Sequence, residues 1–337
     1  MIPFSKTTLG NEEIGAVKKV IEGGWVVLGE KSREFEKLFA EYVGAKHAVF
    51  VDSGTSALFL ALKYLKKRYT FSSIKVPSLT FVATAESAVN AGFDIQFSDI
   101  GDDLCLEDAY LHSLPVNLGG HKAKEGALIY DSAHRIEKDD VKDSKALWCY
   151  SLYATKNITT VTGGMIATND TEAYEWLLKA RDHGLSLGTK ERYQGRYKQY
   201  DVDFVGWRVK GDDFRAVVGI EQLKKLPEIT KRRNEIVARY NKELKPEFRI
   251  NNWSGNHLYP ILVEDRAKFM DYMFDNEIQC AVHFRPIHTM KGYEKFYSGE
   301  DLSKTEYIGE RIVSLPLFPQ MTEEEQTHII NKVNDYV

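Results

Sequence analysis

The sequence predicts an α/β fold in which a large domain with a mostly parallel sheet and helices on both faces is followed by a smaller α+β domain. Two observations carry this. Short apolar segments ending in small or polar residues alternate with helix-patterned segments through the first part of the chain. That alternation is what a parallel sheet with crossover helices requires. Near Asp213 the texture changes to long charged helical stretches, and then to a strand, a helix and a strand. The 337 residues, 43% of them hydrophobic, suffice for about two cores. We expect the boundary to divide residues 1–225 from 226–337.

Taken in order, "AVFVDS", "SIKVPS", "DIQFSDI", "ALIYDSA", "ALWCYSLY" and "GMIAT" are the strands of the large domain, rich in the Val, Ile and aromatic residues that suit a buried pleated surface. Between the first three, "TSALFLALKYLKKRY" and "TFVATAESAVNAG" place apolar residues three and four apart and predict helices. "FRAVVGIEQLKKL" and "EITKRRNEIVARYNKELK" predict a linking helix pair. "HLYPILVE", "DRAKFMDYMFDNE" and "CAVHF" then predict strand, helix and strand.

Composition excludes several functions. A net charge of −4, from 45 basic and 49 acidic residues, does not supply the positive surface that nucleic acid needs. Cys105, Cys149 and Cys280 are odd in number and far apart, which suggests neither disulfides nor a zinc site and fits a reducing cytoplasm. The N-terminus lacks the charge and apolar run of an export signal, and no stretch reaches the ~18 apolar residues of a membrane span.

In open α/β sheets chemistry collects beyond the carboxyl ends of the strands. Three such ends carry candidate residues. After "VFV", Ser53-Gly54-Thr55-Ser56 turns into a helix whose first N–H groups and partial positive charge suit a phosphate. A plain N-cap by Ser53 or Thr55 explains the same residues. No GxxxxGK[ST] or GxGxxG accompanies them. After "LIY", Asp131 is a carboxylate at the tip of an apolar strand and needs a cation or donors, while His134 three positions on is either a core histidine or a site residue. After "ALWCY" come Ser151 and Lys156, with "TGG" shortly beyond. A phosphate cradle, a buried Asp and a lysine among hydroxyls, each after a strand of one domain, together form the set that pyridoxal phosphate requires.

The segments "IPFSKTTLGNEEIGAVKKVIEGGWVVLG", "FVDSGTSALFLAL", "VPSLTFVATAESAVNAG", "YDSAH", "YSLYATKNITTVTGGMIATND", "RDHG" and "VHFRPIHTMKGY" occur in an order that resembles the DegT/StrS-type sugar-nucleotide aminotransferases, fold-type I pyridoxal 5′-phosphate enzymes. The resemblance runs over nearly the whole chain. It implies that Lys156 forms the internal aldimine, that Asp131 partners the pyridine nitrogen, and that Ser151, Gly54 and Thr55 hold the phosphate. It also implies that Phe81 stacks on the cofactor and that His134 sits beside its phenolic oxygen. His183, His283, Arg285, His288 and Tyr293 become substrate-site candidates. The family's Glu before the cofactor Asp is Tyr130 here. Where the family has Gly-x-Asn-x-Arg this chain has "GWRVK", so Arg208 and Lys210 are candidates for reaching the phosphate of a neighbouring subunit. The segment from Gly101 to Ala127 is compact.

The resemblance implies ping-pong transamination from an amino acid, L-glutamate foremost, to a nucleotide-linked 3- or 4-keto sugar. It also implies a cytoplasmic homodimer with shared sites, and no catalytic metal is expected. A pyridoxamine-phosphate sugar dehydratase, in which His occupies the lysine position, and a regulatory protein without turnover are the alternatives that Lys156, Asp131 and Ser151 oppose.

Overall fold

The computed structural model describes residues 1–188 and 199–336. Two amphipathic helices, α1 (Asn11–Gly23) and α2 (Glu30–Val43), lead into β1 (His47–Val51) and α3 (Gly54–Arg68). β2 (Ser73–Pro77), α4 (Val82–Ala91), β3 (Asp94–Ser98), β4 (Ile129–Asp131), β5 (Leu147–Ser151), β6 (Gly164–Thr168) and α5 (Thr171–Ala180) complete the first unit. Burial is nearly continuous in β4, β5 and β6, as expected where helices cover both faces.

The sheet runs β1-β6-β5-β4, with β2 and β3 forming a parallel pair. Residues 112–117 join the two: Lys75 bridges to Ser113 and Val116 to Asp131, both in parallel. β6 is antiparallel to both its neighbours, and its register sets Val51 and Ser151 each opposite Gly164. The first residue of β6 therefore lies at the same edge as the last residues of β1 and β5. A Cβ on Gly164 would run into the Ser53 carbonyl, so glycine is what lets these three ends converge.

The expected helix pair is one helix, α6 (Asp213–Glu243), with Pro227 inside it. Proline removes a hydrogen bond there, but Leu223, Leu226 and Ile229 around it are buried, and packing holds the helix together. Its first half, through Ile229, belongs to a core with Phe35, Phe50 and Trp148. Its second half, from Ile236, belongs to a core with Ile261, Phe269 and Ile329. The helix thus passes unbroken through positions 225 and 226, and one core hands over to the next between Ile229 and Ile236.

The C-terminal part pairs β7 (Tyr259–Leu262) antiparallel with β8 (Ile312–Leu315), flanked by α7 (Arg266–Asp275), α8 (Ser303–Arg311) and α9 (Glu323–Asp335). The expected strand at 280–284 is reduced to a single bridge, Ala281 to Ser314. Pro286 soon follows, and without an N–H it cannot extend a ladder. The N-terminus joins this part too, since Ile2 bridges to Ile278.

Candidate active site

The converging strand ends open onto a cavity of about 350 Å³ lined, among others, by Gly54, Thr55, Phe81, Asp131, His134 and Lys156. Ser53 is the N-cap of α3, accepting the Ser56 N–H at 3.1 Å. The plain capping role is therefore real, and it leaves Gly54 and Thr55 facing the cavity. A Cβ on Gly54 would stand 2.8 Å from Ser151 Cβ, so only glycine lets the helix end and Ser151 meet. This is a helix N-terminus with a hydroxyl beside it, shaped for an anion. Gly54→Ala is expected to push Ser151 aside and weaken pyridoxal phosphate binding roughly tenfold, a loss of one charge-assisted contact; titrating apoprotein with the cofactor and following fluorescence measures it.

Asp131 is 5% exposed at the end of β4. Thr84, in the first turn of α4, donates its hydroxyl to Oδ2 at 2.8 Å, and the Ala133 N–H reaches Oδ1 at 3.0 Å. Burial pushes the carboxyl up from its usual range, while these two donors and the charge of Lys156 oppose that. A carboxylate held this way favours a cation placed against it. Tyr130 does not enter this environment. Neighbouring strand residues point to opposite faces; the Tyr130 ring stacks on Trp148 at 4.4 Å and its hydroxyl accepts the Gly126 and Ala127 N–H groups.

Lys156 follows β5, its residue partly open to the cavity. Burial of its amine lowers the pKa to about 8, against the opposing pull of Asp131. His134 accepts the Gly119 N–H on Nδ1 at 3.1 Å, so a neutral ring carries its proton on Nε2. Burial, then Lys156 and His283, keep that ring well below the usual histidine pKa. Phe81 is the N-cap residue of α4, 56% exposed, with its ring 5.9 Å from that of Phe284.

The remaining candidates divide. His283 lines the cavity, bonded through Nδ1 to Ser314 Oγ at 3.0 Å, with burial lowering its pKa to about 4. Arg285 turns to Thr289 instead. His288 is buried between Ser78 and Glu306, tying β2's loop to α8. Tyr293 packs at the edge of an apolar cluster, and His183 is exposed. None of these four lines the cavity. Lys210 pairs with Asp182 of its own chain at 2.7 Å, and Arg208 is exposed on the same segment. Thr84, Gly119, His257 and Phe284 were not expected. Thr84 stands three residues after Phe81, on the same side of a first turn, and that spacing is a signal; the others meet the site only through tertiary folding.

An amine lowered toward neutrality, a buried carboxylate that favours a cation and a helix end shaped for an anion complement the charges of pyridoxal phosphate. The overall fold is shared with solved aminotransferase structures. Comparison with known proteins names the family. The DegT/DnrJ/EryC1/StrS aminotransferase family matches residues 7–114 and 123–334, and the chain belongs to it. The chain is 31% identical over its full length to the spore coat polysaccharide biosynthesis protein SpsC of Bacillus subtilis, covering 97% of that protein. Among solved structures, PseC of Helicobacter pylori, an aminotransferase involved in the biosynthesis of pseudoaminic acid, superimposes with a TM-score of 0.87 at 24% identity over 98% of this chain and 97% of its own. The sugar aminotransferase CalS13 of Micromonospora echinospora gives 0.89 at 21% identity over the whole of both chains. The enzyme is a sugar aminotransferase of a family that depends on pyridoxal phosphate, and no helix among the described residues is long and apolar enough to cross a membrane.

Proposed function

We propose that the enzyme transfers an amino group from an amino acid, L-glutamate foremost, to a 3- or 4-keto sugar carried on a nucleotide. The observation that carries this reading is the Lys156 amine, set in the cavity that Asp131 and Gly54 also line, with its pKa lowered to about 8. Such an amine is neutral often enough near pH 7 to accept a proton and is still a ready acid when charged.

Gly54, Thr55 and Ser151 would hold the cofactor's phosphate, Phe81 would cover its ring, and Asp131 would accept the pyridine N–H. When bound, the cofactor supplies a ring that accepts electrons from a carbanion. Lys156 would take the proton from the substrate's amine-bearing carbon and return it to the cofactor's carbon, and His134 would offer its Nε2–H to the cofactor's phenolic oxygen. SpsC and PseC, named for polysaccharide and pseudoaminic acid biosynthesis, support a sugar acceptor.

Cys105, Cys149 and Cys280 are all free thiols, in keeping with a cytoplasmic enzyme. We read it as a homodimer with shared sites: Val205 is 88% exposed beside Arg208, and of the two cations Arg208 is the better placed to meet a partner's phosphate. The test is spectroscopic. Purified protein with pyridoxal phosphate is expected to show a visible band that glutamate bleaches and that a UDP- or dTDP-linked keto sugar restores. The same sample is expected to sediment as a dimer. A band indifferent to every amino acid sinks the proposal, and NMR of the product assigns C3 or C4.

A further inference from the structure

The cavity has two walls. One is the set at the strand ends; the other comes from the C-terminal part and includes His257, Leu258, His283, Phe284 and Leu317. His257 is fixed by its backbone. Its N–H and that of Leu258 both donate to the Gly119 carbonyl, at 2.8 and 3.0 Å, and Arg233, buried in α6, donates to the His257 carbonyl at 3.4 Å. The Gly119 peptide that orients His134 through its N–H thus also seats His257 through its oxygen. A Cβ on Gly119 would strike Trp253 of the same C-terminal segment, so the close approach depends on glycine.

The His257 side chain is left without a bond. It is 6% exposed, its ring lies 4.6 Å from that of His134, and Nδ1 is buried with no hydrogen-bond partner. Several buried side chains have an orphan polar atom, but among the described residues His257 is the one of them that lines the cavity. His134 and His283 each have Nδ1 engaged by the protein. An orphan buried polar group costs roughly 1–3 kcal/mol unless a water or a ligand meets it. Among the described residues no group of three such side chains is arranged to hold a metal ion.

Burial keeps this imidazole neutral, and His134, Lys156, Arg233 and His283 reinforce that. A neutral imidazole has one acceptor and one donor nitrogen. A hydroxyl can meet a neutral ring as donor or as acceptor, and Nε2 is the nitrogen not sealed inside the protein.

We propose that His257 is a specificity-determining residue that hydrogen-bonds a hydroxyl of the acceptor sugar, on the wall opposite the cofactor residues. The inference rests on the sugar-nucleotide reading above. The test uses holoenzyme carrying His257→Phe, which keeps a ring against His134 but no nitrogen, and His257→Asn, which keeps a donor and an acceptor. Bleaching by glutamate reports the donor half-reaction, and return of the band with UDP- and dTDP-linked 4-keto-6-deoxyhexoses reports the acceptor half-reaction. Calorimetry of the same sugar nucleotides on pyridoxamine-phosphate-loaded Lys156→Ala protein, with and without His257→Phe, reads affinity without turnover.

His257→Phe is expected to leave the rate of bleaching within about twofold and to weaken the sugar nucleotide about 10- to 100-fold, the effect of one lost buried hydrogen bond. His257→Asn recovers part of it. Unchanged sugar affinity in His257→Phe overturns the inference. So does equal damage to both half-reactions, which would mean that the ring acts through His134. If wild-type enzyme bleaches with glutamate yet no sugar nucleotide binds or restores the band, the acceptor reading fails and this inference with it.

Discussion

Lys156→Ala is expected to lower turnover by ~10³-fold or more, the scale of a positioned acid–base group, with the loss of covalent attachment added to it. Reduction of the wild-type protein with borohydride should fix one cofactor per chain and that of the variant none, as mass spectrometry reads directly. Reaction of apoprotein with free pyridoxal phosphate should accelerate as pH rises through about 8, because only the neutral amine is a nucleophile.

Replacing Lys156 by an apolar residue should move stability the other way. The Lys156 amine titrates near 8 when folded, against 10.5 as its ordinary value. Between those values the unfolded chain binds a proton that the folded chain does not, so wild-type apoprotein gains stability as pH climbs from about 8 to 10.5. Below pH 8 both states are charged, and the full cost of burying the ammonium is present. It amounts to on the order of 3 kcal/mol at most, from a shift of that size. Lys156→Met should therefore raise the apoprotein's unfolding free energy at pH 7, with the gain fading toward pH 10.5. A variant that is inactive and also less stable at every pH would argue that Lys156 is a structural residue.

The parts of this site that could be read in advance are those whose evidence is local. Ser53-Gly54, Asp131, Ser151 and Lys156 each end or follow an apolar strand, and parallel packing brings such ends to one edge. What could not be read depends on distant partners. His257 precedes β7 with no local pattern to mark it, and it meets His134 only because the Gly119 backbone holds both. His288 stands in a motif rich in polar residues but is spent on Ser78 and Glu306. Pro227 marks a helix break in any local reading, yet packing on Leu223, Leu226 and Ile229 overrides it. β8 was missed because "IVSL" is too short to show a period of two.

Asp131→Asn separates charge from shape at the other pole of the site. The side chain is isosteric, and the Thr84 hydroxyl can reverse. It now donates to Asp131 Oδ2 while lying 3.0 Å from Thr80 Oγ1; toward an amide it would accept from the new N–H and donate to Thr80. The Ala133 N–H keeps an oxygen acceptor. The fold should therefore persist, and apoprotein stability at neutral pH should rise. Burial lifts the folded carboxyl's pKa above its unfolded value, so charging it costs the folded state as pH climbs through that window, and asparagine removes the cost. Activity should fall by ~10²-fold or more, since a neutral amide cannot stabilise the pyridinium that draws electrons from the substrate carbon. Steady-state kinetics should assign the loss to kcat rather than to KM, with cofactor still bound through Gly54 and Ser151. A loss confined to cofactor affinity, with full kcat at saturating pyridoxal phosphate, would make Asp131 an anchor and remove it from the chemistry.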